Sequence, residues 1–172
     1  IELARSGTEK QKQHAANALG KLAGTEAENK KTIAAAGAVA PLIELARSGT
    51  EKQKDNAAAA LRNLAINAES QEAIAAAGGV APLIELARSG TEKQKQHAAN
   101  ALGKLAGTEA ENKKTIAAAG AVAPLIELAR SGTEKQKDNA AAALRNLAIN
   151  AESQEAIAAA GGVAPLIELA RS

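Results

Sequence analysis

The sequence contains no cysteine, methionine, phenylalanine, tyrosine or tryptophan, and only four prolines. Without cysteine there is no disulfide, no thiolate nucleophile and no cysteine-based zinc site, and the residues say nothing about redox compartment. Without an aromatic ring there is no base-stacking platform and no cation–π cage, which removes the usual chemistry of single-strand nucleic-acid binding. Charge of one sign is scarce as well. The net charge is +2 over 172 residues, too little to draw the chain to nucleic acid or to an anionic membrane. An uncharged, mostly apolar stretch such as residues 33–43 spans 11 residues and is broken by Gly37 and Pro41, and the longest, residues 73–84, spans 12 and is broken by Gly78, Gly79 and Pro82, whereas a spanning helix needs about 20. No signal-peptide pattern opens the chain, and the missing initiator methionine points to a processed or trimmed product.

What is present is a repeat. Residues 1–83 recur letter for letter as residues 84–166, and the last six residues, IELARS, begin a third copy. The apolar fraction of 46% comes from four residue types alone, led by 47 alanines. Self-similarity is finer than 83. The isoleucine of the phrase PLIELARSGTEKQK falls at Ile1, Ile43, Ile84, Ile126 and Ile167, so the spacing alternates between 42 and 41. Two related units therefore alternate. One is a His-type unit, QKQHAANALGKLAGTEAENKKTIAAAGAVAPL, and the other an Asp-type unit, QKDNAAAALRNLAINAESQEAIAAAGGVAPL. A fixed period near 40 is the mark of a solenoid, in which each unit buries its apolar face on its neighbours.

Each unit punctuates into three helices. The first is expected to start at Thr25, with Glu28 completing a capping box, and to stop at Gly37. In the Asp-type unit Asn67 is the expected cap and Gly78 the stop. The second runs from Val39 to Arg47, with Pro41 tolerated in its first turn and Gly49 after its end. The third opens at Thr50 with Gln53 as capping-box partner and runs to about Ala65. Its residues Ala57, Ala60, Leu61 and Leu64 follow the spacing of one buried stripe, which Ala15, Ala18, Leu19 and Leu22 repeat. Nothing alternates with period two, so the class is all-α. The array divides into a partial repeat 1–24, repeats 25–66, 67–107 and 108–149, and a partial repeat 150–172.

These residues resemble an armadillo repeat: two short helices joined through A-G-x-V-x-P-L-I-x-L, then a long helix ending in x-A-L-x-N-L-A. HEAT units lack the short first helix, and tetratricopeptide units have a period of 34. The resemblance covers essentially the whole chain. It implies a right-handed superhelical solenoid whose third helices line a concave groove that binds extended peptides or protein segments. Natural tandem repeats diverge, so two flawless copies point to an engineered concatemer, with a very recent natural duplication, hence a natural adaptor fragment, as the alternative.

A second stripe on the third helices lies beside the buried one. It comprises Lys52, Asn56, Ala59 and Asn63, and in the His-type unit Lys10, His14, Asn17 and Lys21. The second copy gives Lys93, His97, Asn100 and Lys104, then Lys135, Asn139, Ala142 and Asn146. In the armadillo family an asparagine near the end of the third helix pairs with the main chain of a bound peptide; Asn63 and Asn146 match that position. A carboxamide both donates and accepts, so it can satisfy a peptide N–H and C=O together. Lys21 and Lys104 hold the same position and only donate, which interrupts the ladder at alternate rungs and favours acidic side chains. The family often has tryptophan four residues earlier, where this chain has Asn17, Ala59, Asn100 and Ala142. The competing reading is a solvated polar face.

Catalytic readings find little support. His14 and His97 are the only histidines and lie two repeats apart, so they cannot share a metal. The serines Ser6, Ser48, Ser89 and Ser131 fall in Arg-Ser-Gly loops with no local histidine base, and no phosphate-binding glycine pattern occurs. Lys30 and Lys31 look like solvated helix surface. We therefore expect a non-enzymatic protein with no cofactor, no metal and no nucleic-acid or membrane partner. Uncapped ends that expose Ala, Leu and Ile also allow head-to-tail association of copies.

Overall fold

A threonine followed three residues later by glutamine opens every long helix. Thr50 Oγ1 accepts from the Gln53 N–H at 3.4 Å, and Gln53 Oε1 accepts from the Thr50 N–H at 2.9 Å. The same reciprocal pair starts the helices at Thr8, Thr91 and Thr133, satisfying N–H groups that the first turn leaves without helical partners. A computed structural model describes residues 1–107 and 109–171, so the repeat start expected at Thr108 lies outside the described residues. Among the described residues there are thirteen α-helices and no strand.

The helices are α1 (Glu2–Ser6), α2 (Glu9–Ala23), α3 (Ala27–Ala35), α4 (Val39–Ser48), α5 (Glu51–Leu64), α6 (Ala68–Ala76), α7 (Val80–Ser89), α8 (Glu92–Leu105), α9 (Ala110–Ala118), α10 (Val122–Ser131), α11 (Glu134–Leu147), α12 (Ala151–Ala159) and α13 (Val163–Arg171). Contacts divide the chain into two compact units, residues Ile1–Leu83 and Ile84–Ser172. In the first, α5 packs chiefly on α2 and α4; in the second, α11 packs chiefly on α8 and α10.

The expected stripe of α5 is the centre of the first unit: Ala57, Ala60, Leu61 and Leu64 are fully buried. With Leu42, Ile43, Leu45 and Ala46 of α4, they make a core of aliphatic side chains only. The short first helices end where expected. Gly37, Gly78, Gly120 and Gly161 all have positive φ, from +71° to +85°, the left-handed region that closes a helix and that a Cβ disfavours.

Four expectations need correction. Helix α3 starts later than proposed: its N-cap is Glu26, with no side-chain cap bond. The Thr25 hydroxyl instead donates to the Leu22 carbonyl at 2.8 Å and accepts from Asn29 Nδ2 at 2.8 Å. It closes the end of α2 rather than the start of α3. Lys30 is not solvated surface. It is 7% exposed, and its Nζ donates to the carbonyls of Thr25 and Glu26 at 3.4 and 3.3 Å. Gln71 does the equivalent work in the Asp-type unit, donating to the Ala65 carbonyl at 2.7 Å. The Arg-Ser-Gly serines end helices rather than sit in loops; Ser48 Oγ donates to the Glu44 carbonyl and carboxylate.

The fourth correction concerns α2. Ala18 and Leu22 are exposed, Leu22 at 52%, whereas their α8 counterparts Ala101 and Leu105 are buried. Within the first unit, α2 meets α1, α3 and α5, and these bury Ala16, Gly20 and Ala23, the strip next to the expected one.

Candidate functional site

The candidate residues stand on the outer parts of α2 and α5 in the first unit and of α8 and α11 in the second. In each pair the asparagines and glutamines of the Asp-type helix reach the backbone of the His-type helix before it. Gln53 Nε2 donates to the Glu9 carbonyl at 2.9 Å, Asn56 Nδ2 to the Gln13 carbonyl at 3.1 Å, and Asn63 Nδ2 to the Gly20 carbonyl at 2.9 Å. The second unit repeats all three. Gln136 donates to Glu92 at 2.8 Å, Asn139 to Gln96 at 3.3 Å and Asn146 to Gly103 at 2.8 Å. Each carbonyl lies inside a helix and has a second lone pair, so the side-chain bond adds to the helical one. The Gly20 carbonyl, for example, also accepts from the Gly24 N–H at 3.1 Å.

These amides therefore pin adjacent third helices together. Two glycines make room for the last of them. A Cβ on Gly20 would lie 3.4 Å from Ala60 Cβ, and one on Gly24 would lie 3.2 Å from Asn63 Nδ2.

The oxygen of Asn63 is engaged as well. It accepts from Arg62 Nε at 3.1 Å and Arg62 Nη2 at 2.8 Å. Asn146 is held the same way by Arg145, at 3.4 and 3.3 Å. Burial lowers the pKa of the Arg62 guanidinium from its ordinary value, yet arginine keeps its proton at neutral pH. Neither arginine stood out in the sequence. The signal was their place immediately before the asparagine in A-L-R-N-L-A, on a helix whose opposite side is all alanine and leucine.

Around these groups the first unit has a shallow depression of about 310 Å³, with Asn17, Lys21, Asn56, Ala59, Arg62 and Asn63 among its walls. Six of the side chains that line it are polar, and the cations among them are Lys21 and Arg62. Asn17 and Lys21 are exposed, and Asn56 and Asn63 half-buried. Structure thus brings together four of the residues singled out from the sequence in this unit. His14 is exposed one turn before Asn17 and is not among the residues lining the depression.

In the second unit, His97 and Lys104 are half-buried. Asn100 Nδ2 donates to Asn139 Oδ1 at 2.7 Å, while Asn100 Oδ1 is enclosed and accepts no hydrogen bond. Among the described residues no group of three His, Cys, Asp or Glu side chains could hold a metal, and no helix is long and apolar enough to cross a membrane.

The family model for the Armadillo/beta-catenin-like repeat matches residues 26–66 and 109–149. Among solved structures, an engineered protein is 34% identical over 99% of this chain and 72% of its own, with a TM-score of 0.91. A second structure, of computationally designed armadillo repeat proteins for modular peptide recognition, is 29% identical over 100% of this chain and 73% of its own, with a TM-score of 0.94. A third, a designed armadillo repeat protein in complex with the peptide (KR)4, is 26% identical over 99% and 72%, with a TM-score of 0.91. No curated protein sequence matches the chain. Three-helix units whose long helices open with Thr-x-x-Gln boxes, the two matched repeats and the close superposition on engineered relatives lead to one assignment: the chain belongs to the armadillo repeat family.

Proposed function

We propose that this chain is an engineered, non-enzymatic armadillo scaffold that holds an extended, acidic peptide along its third helices. Its repeats would be 25–66, 67–107 and 108–149, flanked by the partial repeats 1–24 and 150–172. The observation that carries the reading is the depression walled by Asn17, Lys21, Asn56, Arg62 and Asn63. It gathers carboxamides that can pair with a peptide main chain and cations that attract carboxylates. Similarity to designed proteins for peptide recognition supports the same reading. One of those relatives is in complex with a basic (KR)4 peptide; the cations in this depression favour the opposite charge. The rungs expected to take part are Asn63, Asn146, Lys21 and Lys104, with Asn17, Asn100, Asn56, Asn139, His14 and His97 alongside.

Fluorescence polarisation with a fluorescein-labelled octapeptide of alternating glutamate and threonine tests the proposal. Asn63→Ala with Asn146→Ala should weaken binding about thirtyfold, in line with two lost hydrogen bonds near 1 kcal/mol each. Raising salt should weaken it further, since exposed charge pairs are screened. Unchanged affinity in the double variant, or tighter binding of (KR)4 than of the acidic peptide, would overturn it.

A second reading rests on a separate observation. Leu3 and Leu22 in the first unit, and Val163 and Ile167 in the second, are 45–55% exposed, so copies of the chain can associate through these apolar side chains. Light scattering across a concentration series decides this, and a constant monomer mass would end it.

A further inference from the structure

Asn63 is the one groove carboxamide whose two ends are both engaged within the first unit, and its partners agree on which end is which. Guanidinium only donates and a backbone carbonyl only accepts. Arg62 therefore requires the amide oxygen on its side, and the Gly20 carbonyl requires the amide nitrogen on the other. Turning the amide over would set donor against donor and acceptor against acceptor. In the observed orientation the oxygen takes two hydrogens, from Nε and Nη2 of Arg62, which uses both of its lone pairs. One hydrogen of Asn63 Nδ2 is left. The residue expected to offer both a donor and an acceptor to a peptide thus offers only a donor.

Resting on the peptide-binding reading above, we infer that Arg62 sets the ligand class of this groove: it holds the Asn63 acceptor closed until a carboxylate of the peptide takes the guanidinium. A carboxylate presents two coplanar oxygens that match the guanidinium fork. When an acidic side chain draws Arg62 to itself, Asn63 Oδ1 is released to accept a peptide N–H. A neutral peptide must displace the same guanidinium without giving it a charged acceptor, although Arg62 is already partly desolvated. Side-chain charge and main-chain pairing are thereby coupled at a single rung. Arg145 stands in the same relation to Asn146 but at 3.4 and 3.3 Å and exposed, so its hold is weaker and the discrimination belongs mainly to Asn63. Arg62 acts here as a positioning residue.

The test uses two fluorescein-labelled octapeptides, alternating Glu-Thr and its neutral Gln-Thr isostere, against the whole chain and its R62A, R62K, N63A and R62A/N63A variants. The unaltered chain should favour the Glu peptide by about tenfold, the scale of one charge-assisted hydrogen bond. R62A should bind the Gln peptide about threefold to tenfold tighter than the unaltered chain does, because its Asn63 acceptor is open. That gain should vanish in R62A/N63A, and R62K, which lacks the fork, should also gain. A merely structural arginine would not improve binding of a neutral ligand when removed. R62A binding the Gln peptide no tighter than the unaltered chain overturns the inference, as does R62K behaving like the unaltered chain. If neither peptide binds any form, the peptide-binding reading falls and the proposed ligand class with it. The hold itself is read separately, without ligand, from the Asn63 side-chain amide resonances in NMR spectra: R62A should shift them, and unchanged signals overturn the hold.

Discussion

Gly79→Ala is expected to destabilise the protein although the neighbouring unit type has alanine at the same place. Gly79 and Ala38 both follow the positive-φ glycine that ends a first helix, in A-G-G-V-A-P and A-G-A-V-A-P. Ala38 is fully buried and fits. A Cβ on Gly79 would lie 2.7 Å from Ile74 Cγ2, 2.9 Å from the Ile74 carbonyl oxygen and 2.9 Å from Ile43 Cδ1. The reason is visible in the turn. The Gly79 N–H reaches the Ile74 carbonyl at 2.8 Å, whereas Ala38 holds Ile33 at 3.2 Å. The second unit agrees, with 2.9 Å at Gly162 and 3.3 Å at Ala121. The methyl group therefore goes with a turn some tenths of an ångström wider, and Gly79 sits in the narrow form against two buried isoleucines. Forcing extra volume into a packed core costs roughly 1–3 kcal/mol. The smaller entropy of the unfolded alanine chain returns about 0.4–1 kcal/mol. The net is a loss of about 1–2 kcal/mol, or a midpoint lower by roughly 2–8 °C at this chain length. Circular dichroism at 222 nm measures it; intrinsic fluorescence cannot, because the chain has no aromatic residue. An unchanged or raised midpoint for Gly79→Ala would show that unit identity, and not the local turn, decides what fits.

At Gly37, with φ of +79° and nothing within 4 Å of a new Cβ, alanine should cost about 1–2 kcal/mol through the backbone alone. Asparagine, which tolerates that region, should recover part of it in the same melts. Gln53→Ala should destabilise more than Thr50→Ala: the threonine contributes one cap bond, usually about 1 kcal/mol, whereas the buried glutamine closes the box and also donates to the Glu9 carbonyl and carboxylate. Equal losses in denaturant titrations would refute the cross-helix role. Lys30→Ala should lower stability by about 1 kcal/mol, because two carbonyls lose their donor, while exposed Lys31→Ala should stay within about 0.5 kcal/mol. Indistinguishable midpoints for the two lysine variants would return Lys30 to the surface.

Helix type and most helix ends were legible in the sequence because each depends on neighbours three or four residues away, although the expected cap at Thr25 was not one. Thr50 with Gln53, Asn67 as a cap, the stops at Gly37 and Gly78 and the α5 stripe all follow from such spacing. What escaped depends on distances between helices. Lys30 reads as surface by composition, yet its stem lies under the turn that joins α2 to α3. Asn63 matches a family position, but no spacing within its own helix reveals that the Gly20 carbonyl, 43 residues earlier, stands 2.9 Å from its amide. Arg62 was missed for a different reason: its partner is the next residue, and helical neighbours i and i+1 do not ordinarily face each other, so spacing gives no sign that the two side chains meet.

The alternation of two unit types has a physical account in that same contact. Aligned with each other, the units place Gly20 opposite Arg62, Lys21 opposite Asn63 and Gly24 opposite Ile66. Asn63 crosses to α2 at the point where the helix has Gly20 and, just past its end, the C-cap Gly24. Methyl groups there would meet Ala60 at 3.4 Å and the Asn63 amide at 3.2 Å, and arginine or isoleucine far more. An all-Asp-type pair would thus place Arg and Ile where the amide must enter. An all-His-type pair would keep the glycine slot and supply only a lysine, which has no acceptor for a neighbouring arginine to hold. The pair observed, glycine slot before asparagine, lets third helices approach closely and fixes the amide's orientation. The repeating unit is accordingly the 83-residue pair, and separating the two types would remove the proposed binding rung and the helix contact together.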